Sequence, residues 1–281
     1  MVLARYLFVG FFMCIAAFVH GEVITQPVVN VYIQPVDDSE VDTQAIYGNS
    51  VVVVEENGSG WTKIRMPDNV EGWVKSSQVA RSDSFEKSNL LRPLKNLFAH
   101  IYRVKDTTPF PPLLTIPYGA KIKLVDSIDN GERWVAVELV SGEKAWIQRG
   151  DVDFAPKLKT LEETLAFSKK FIGLPYTWGG TSSYGYDCSG FVQMLLKEMG
   201  LLLPRNSRDQ ANSELLTPVL REALLPGDLV FFGESRITHV GIYLGNDEVI
   251  YSGVRGGSPT VMIDHLQTTK YVFITARRIS K

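Results

Sequence analysis

The chain has 281 residues, of which 45% are hydrophobic and 21% charged, with a formal net charge of −2 and two cysteines. That length exceeds what one small core needs, so more than one domain is expected, and the near-neutral balance gives no reason to expect a nucleic-acid partner. No Walker loop, paired CxxC or HExxH occurs and the four histidines lack metal-ligand spacing, so neither metal nor cofactor is expected.

The first element is an apolar run from Tyr6 to Val19 that follows Arg5 and precedes Gly21-Glu22. It is too short to span a bilayer comfortably and ends among small residues. The pattern predicts a signal peptide over residues 1–21, with export to the periplasm or cell surface and no stable membrane association after cleavage. An uncleaved anchor is the alternative. Cys14 lies in this run, so the mature chain keeps one thiol, Cys188, which is either buried filler or chemistry.

An internal duplication follows. Trp61 and Trp73 lie twelve residues apart, as do Trp134 and Trp146, and each pair is preceded by a Tyr-Gly turn, Tyr47-Gly48 or Tyr118-Gly119. After each turn comes a strand-like run, Val51 to Val54 and Ile122 to Val125. Polar turns at Glu56-Asn57-Gly58 and Asp129-Asn130-Gly131 argue for short antiparallel strands. The pattern resembles two tandem bacterial SH3-like barrels, placed at residues 26–80 and 88–155, whose tryptophans are expected to fill two small cores. The polar segment Arg81 to Leu91 reads as a linker or barrel edge.

From residue 158 to 281 the pattern becomes helix, turn-rich loop, helix and then strands, which indicates an α+β domain. Thr160 and Glu163 form a capping box for a helix running to about Ile172, before Gly173 and Pro175. Asp187-Cys188-Ser189-Gly190 opens a second helix, marked by Phe191, Val192, Leu195, Leu196 and Met199 at helical spacing. Cys188 at that N-terminus would meet unpaired N–H groups and the positive end of the helix dipole, which favour thiolate. Strands are expected at Leu229 to Phe232, His239 to Gly245, Val249 to Tyr251 and Phe273 to Ile279.

The strings PYTWGG from Pro175, DCSGF from Asp187, LPRNSRDQ from Leu203, LPGDLVFF from Leu225, HVGIYLG from His239 and TARRI from Thr275 resemble, in this order, the NlpC-type cell-wall cysteine peptidases. The resemblance implies a papain-like domain in which Cys188 is the nucleophile and His239, on a strand beside the helix N-terminus, is the base. His100 and His265 read as surface residues. A polar residue on the next strand, commonly histidine in that family, holds the imidazole; Tyr251 stands there instead. With a three-residue loop at Gly245 to Asp247, residue 239 faces 253 and Tyr251 lies on the same sheet face one diagonal step away, whereas a two- or four-residue loop reverses the parity and points Tyr251 elsewhere. Tyr251 then either orients the base weakly or fills the barrel while another group holds the imidazole.

The resemblance further implies that the Tyr176 hydroxyl helps bind the oxyanion and that Trp178 walls the pocket. It also makes Asp187, Ser189, Asn206 and Ser207 substrate contacts. Asp187 reads alternatively as the helix N-cap. Arg205 reads as a partner for a substrate carboxylate or as a solvated surface residue. The implied partners are peptidoglycan stem peptides, cleaved between γ-D-glutamate and a diamino acid, usually diaminopimelate. Relatives with two barrels often accept only peptides with a free N-terminal L-alanine, for whose amine Glu40 is the best single candidate. Val70 or Glu71 stands where such relatives can carry tyrosine. Three alternatives stay open: an N-acetylmuramoyl-L-alanine amidase, an acyl-transfer enzyme, and a wall-binding protein without activity.

Overall fold

The computed structural model describes residues 21–126 and 129–280, so the predicted signal peptide lies outside the described residues except for Gly21. Gly21–Ile24 is already a strand, with Gly21 opposite Val52 and Glu22 opposite Arg81. The first module therefore begins at residue 21 and not at 26. Its seven strands lie in the order Val41–Ile46, Val28–Tyr32, Glu71–Lys75, Trp61–Arg65, Ser50–Glu56, Gly21–Ile24 and Val79–Arg81.

The second module has six strands, ordered Leu114–Pro117, Phe98–Tyr102, Lys144–Gln148, Trp134–Glu138, Lys121–Leu124 and Leu91–Pro93. Numbered within each module, both orders read 3-2-6-5-4-1, the first adding a seventh strand. The duplication is thus one of topology, and aromatic packing repeats with it. Tyr32 meets Trp61 edge-on at 5.6 Å, and Tyr102 meets Trp134 the same way at 5.5 Å. The tryptophans are less central than their spacing suggested: Trp61 is buried, whereas Trp73, Trp134 and Trp146 are only partly so. Lys75 lies over Trp61 and Lys105 over Trp146, at 3.9 and 4.4 Å from the ring centroids, so the indole faces also serve surface cations.

The polar segment after the first module joins the two. A short helix, Asp83–Glu86, buries Phe85 against Tyr47, and the Tyr47 hydroxyl accepts a hydrogen bond from the Val140 N–H at 2.8 Å. Val23, Tyr47 and Phe85 thereby belong to the hydrophobic core of the second module.

In the third domain, Thr160 and Glu163 make the expected reciprocal cap, at 3.2 and 2.8 Å, on a helix spanning Leu161–Ser168. The helix tightens into a 3-10 turn over Lys169–Phe171, earlier than Ile172, and Gly173 takes φ 89°. The second helix, Cys188–Lys197, buries Phe191, Val192, Leu195 and Leu196 against a six-stranded antiparallel sheet. That sheet runs Leu216–Val219, Phe273–Ile279, Leu229–Gly233, Ile237–Gly245, Glu248–Arg255 and Ser258–His265. Its two outer strands were not anticipated. Pro175 bridges to Thr260, so the loop ahead of the cysteine covers one edge.

The loop from Thr177 to Tyr186 wedges between the two small modules. Thr181 donates to Gln44 of the first, and Ser183 donates to the Leu97 carbonyl while accepting from the Tyr118 N–H of the second. This fixes the position of both modules at the entrance to the third domain.

Candidate active site

Asp187 caps the cysteine helix, its Oδ1 accepting from the Gly190 N–H at 2.7 Å. Gly190 is required for a second reason: a Cβ there would lie 2.2 Å from the Gly180 carbonyl oxygen, so only glycine lets the preceding loop lie flush on the helix start. Behind the cap lies Arg205, only 2% exposed. Its guanidinium binds both Asp187 oxygens, donates to Ser189 Oγ at 2.9 Å and reaches Thr43 Oγ1 of the first module at 2.8 Å. One expectation changes here: Arg205 is neither solvated nor free for a substrate carboxylate. The carboxylate of Asp187 and the hydroxyl of Ser189 serve the cap and Arg205.

Cys188 is 8% exposed and His239 5%. The backbone N–H groups of Val240 and Ser189 face the thiol, tying the helix start to the base strand. Burial nevertheless pushes the Cys188 thiol up to about 12, with the Asp187 charge adding to it and those N–H groups only partly offsetting it. Burial likewise pushes His239 down to about 3, helped by the Lys270 ammonium. Both shifts favour the uncharged forms, a thiol and a neutral imidazole, so desolvation opposes the thiolate that the helix dipole favours.

Tyr176 is half-buried. Its pKa is raised first by burial and then by the neighbouring cysteine, so its hydroxyl remains protonated and can donate to a developing oxyanion. Trp178 is 62% exposed, Asn206 is exposed and Ser207 is buried. His100 and His265 are exposed, as expected.

The turn is shorter than the three-residue loop considered above: Gly245 pairs with Glu248 across Asn246-Asp247, and a register shift between Tyr243 and Gly245 restores the parity, so that Ile242 pairs with Ile250 and Tyr243 with Val249, which sets residue 239 against 253. Tyr251 accordingly shares the imidazole's face, with ring centroids 4.9 Å apart and planes at 80°. Its hydroxyl does not turn to His239. It donates to Asp264 Oδ2 at 2.8 Å, on the unanticipated strand Ser258–His265, and Asp264 also accepts from Arg255 and from the His265 N–H. Tyr251 is therefore no polar orienter of the base. Replacing it by phenylalanine is expected to lower stability by about 1.5–3 kcal/mol, the range for a hydrogen bond to a charged group, and to leave the acid limb of kcat in place. Urea unfolding and a pH–rate profile check this; a shifted limb would restore Tyr251 as orienter.

The first module packs against the loop and the helix that carry Cys188. A Cβ on Gly179 would meet the Val41 side chain at 2.8 Å, and Asp68 accepts from Gln193 of the cysteine helix at 2.9 Å. Glu40 is exposed. The half-buried Asp42, missed in the sequence, feels Arg205, Glu40, Asp68 and Asp187 together, and burial raises its carboxyl above the usual range. Alternation along Val41–Ile46, with Thr43 and Ala45 buried, was the signal available for Asp42.

Comparison with known proteins agrees with this geometry. The NlpC/P60 family profile matches residues 173–277, and that of the bacterial dipeptidyl-peptidase Sh3 domain matches 31–79. A gamma-D-glutamyl-L-lysine dipeptidyl-peptidase of Bacillus cereus is 30% identical over 232 residues, covering 76% of this chain and 68% of the relative. One of the same description from Bacillus subtilis is 29% identical over 240 residues, covering 80% and 76%. The crystal structure of an NlpC/P60 family protein from Bacillus cereus superposes with a TM-score of 0.78 at 26% identity, covering 92% of this chain and 99% of that one. With a capped cysteine helix set against a histidine strand and an SH3 domain ahead of it, the chain belongs to the NlpC/P60 family and is a cysteine peptidase.

Proposed function

We propose that this enzyme is exported and hydrolyses the bond between γ-D-glutamate and the following diamino acid in peptidoglycan stem peptides, taking those with a free N-terminal L-alanine. The second module, by its repeated strand order, is read as a second SH3-like barrel. One observation carries the substrate reading: Glu40, Asp42 and Asp68 gather beside the cysteine helix while the buried cation nearest Asp42, Arg205, is bound to Asp187. A cluster with surplus negative charge suits an ammonium group, and a half-buried carboxylate gains most from one. Asp42 joins Glu40 as the partner for the terminal amine. Both named Bacillus relatives, described as gamma-D-glutamyl-L-lysine dipeptidyl-peptidases, support the same bond.

In this reading Cys188 attacks the γ-carbonyl as His239 takes the thiol proton, and Tyr176 with backbone N–H groups at the helix start holds the oxyanion. The imidazolium gives its proton to the leaving amine. Water, deprotonated by the same imidazole, then releases L-Ala-γ-D-Glu and the free thiol.

Mass spectrometry on L-Ala-γ-D-Glu-diaminopimelate, its N-acetylated form, a muramoyl-linked peptide and intact peptidoglycan tests the proposal. Free diaminopimelate is expected from the first, with kcat/KM at least about tenfold lower after acetylation, equivalent to ~1.4 kcal/mol. Equal cleavage of the acetylated peptide would reject recognition of the amine. Release of the lactyl-linked peptide would make the enzyme an amidase, transfer without hydrolysis an acyltransferase, and binding without turnover a wall-binding protein.

A further inference from the structure

No polar side chain among the described residues holds the His239 imidazole by a hydrogen bond. Nε2 of His239 is buried and has no hydrogen-bond partner, and the side chain that would occupy an orienter's place, Tyr251, spends its hydroxyl on Asp264. The imidazole is nonetheless closely confined. Tyr271 stacks on it with ring centroids 4.0 Å apart and planes at 18°, Tyr251 meets it edge-on, and Phe232 closes a third side at 5.8 Å.

Tyr271 is itself held at both ends. Its ring packs edge-on against Tyr251 at 5.4 Å, and its hydroxyl accepts from the Val254 N–H at 3.1 Å and donates to the Val254 carbonyl at 3.4 Å. Val254 follows Gly253, the residue facing His239 across the sheet. A Cβ on Gly253 would lie 2.9 Å from the Tyr271 hydroxyl, 3.0 Å from His239 Cε1 and 3.0 Å from the Tyr251 ring. Glycine at this position is what allows the three rings to converge.

We propose that Tyr271 is the positioning residue of this active site: its ring, tethered to the Val254 backbone, fixes the plane of the His239 imidazole by stacking, in place of a polar third group. Three consequences follow from the geometry. A stacked wall restricts tilt of the imidazole out of its plane, which is the freedom a hydrogen bond at Nε2 would otherwise remove. It adds no charge, so imidazolium gains from it only the cation–π attraction of the ring face and not an ion pair. It also keeps water from the ring, which agrees with the lowered pKa of His239 and with the position of Lys270, whose Nζ lies 5.0 Å from the Tyr271 centroid. The role rests on His239 being the base and applies to any amide that the site cleaves.

The test compares Tyr271→Phe and Tyr271→Leu with the wild-type chain, by kcat and KM against pH on a cleaved peptide and by NMR titration of the His239 imidazole, assigned with His239→Gln. Leucine removes the stack. It is expected to reduce kcat about 100-fold, the scale of a 1 Å misplacement, with KM changed less than threefold. Because water then reaches the ring, the acid limb of kcat and the imidazole titration should both move up toward the ordinary histidine value of about 6.5. Phenylalanine keeps the stack and loses only the tether, so it should restore most of the rate, remaining about three- to tenfold below wild type, and should titrate like wild type. Wild-type kcat and an unmoved titration in the leucine variant would overturn the assignment. Should that variant not fold, phenylalanine decides alone: unchanged kcat, or an imidazole titrating near 6.5 despite the retained ring, overturns it. Since the NMR readout needs no substrate, failure of the proposed bond specificity remains distinguishable from failure of this assignment.

Discussion

Arg205→Ala is expected to lower the stability of the protein by about 3–5 kcal/mol, the usual penalty for removing one partner of a buried ion pair. Asp187 would keep the Gly190 N–H and the Ser189 hydroxyl but lose the guanidinium that binds both of its oxygens. An uncompensated carboxylate would then sit one residue from Cys188, whose thiol is already pushed up by that charge. Activity should fall in the folded fraction as well, since deprotonation becomes harder. The tie from Thr43 to the helix start would also be lost, loosening the first module against the cleft. Urea unfolding measures the stability term, and kcat on material shown to be folded measures the second. Arg205→Lys cannot reproduce the fork and should recover only part of either. A loss below 1 kcal/mol would show that Asp187 is solvated in solution and that the clamp matters little.

His239→Gln is expected to reduce kcat by 10²–10⁴-fold, the range for loss of a positioned general base. In the wild-type enzyme the pH dependence should also differ from that of a free imidazole. With His239 pushed down to about 3 by burial and by Lys270, the base stays neutral, and so competent, as pH falls below the ordinary value of about 6.5. The acid limb of kcat should therefore lie below pH 5. On the alkaline side, Cys188, pushed up to about 12, predicts no loss of the thiol form up to pH 9. A bell centred near neutrality with an acid limb at 6–7 would instead indicate a preformed thiolate–imidazolium pair and a more hydrated site.

Features that depend on short stretches of chain were legible in the sequence. The Asp187 cap, the apolar face of the cysteine helix and the Thr160/Glu163 box each lie within a turn or two of helix. The paired tryptophans reported a duplicated strand order because each pair occupies adjacent strands of one sheet. The diagonal relation of Tyr251 to His239 did not follow from loop length alone, because a register shift between Tyr243 and Gly245 offsets the two-residue turn. What could not be read depends on which distant segments meet. The Tyr251 hydroxyl turns to Asp264, thirteen residues away on a strand that was not foreseen. Arg205 became a buried clamp because Thr43, Asp187 and Ser189 converge on it from separate parts of the chain. Local composition around Arg205 carries no sign of that. Cys188 shows a different limit: the helix dipole can be inferred from sequence, but the desolvation that opposes it cannot.

Intact-protein mass spectrometry after rapid quenching during turnover of L-Ala-γ-D-Glu-diaminopimelate tests the central claim most directly. A gain equal to the L-Ala-γ-D-Glu acyl group, localised to Cys188 and missing from the Cys188→Ala variant, which should not turn over, is the predicted result. An enzyme that releases diaminopimelate with Cys188→Ala in place, or that carries the acyl group on another residue, would contradict it.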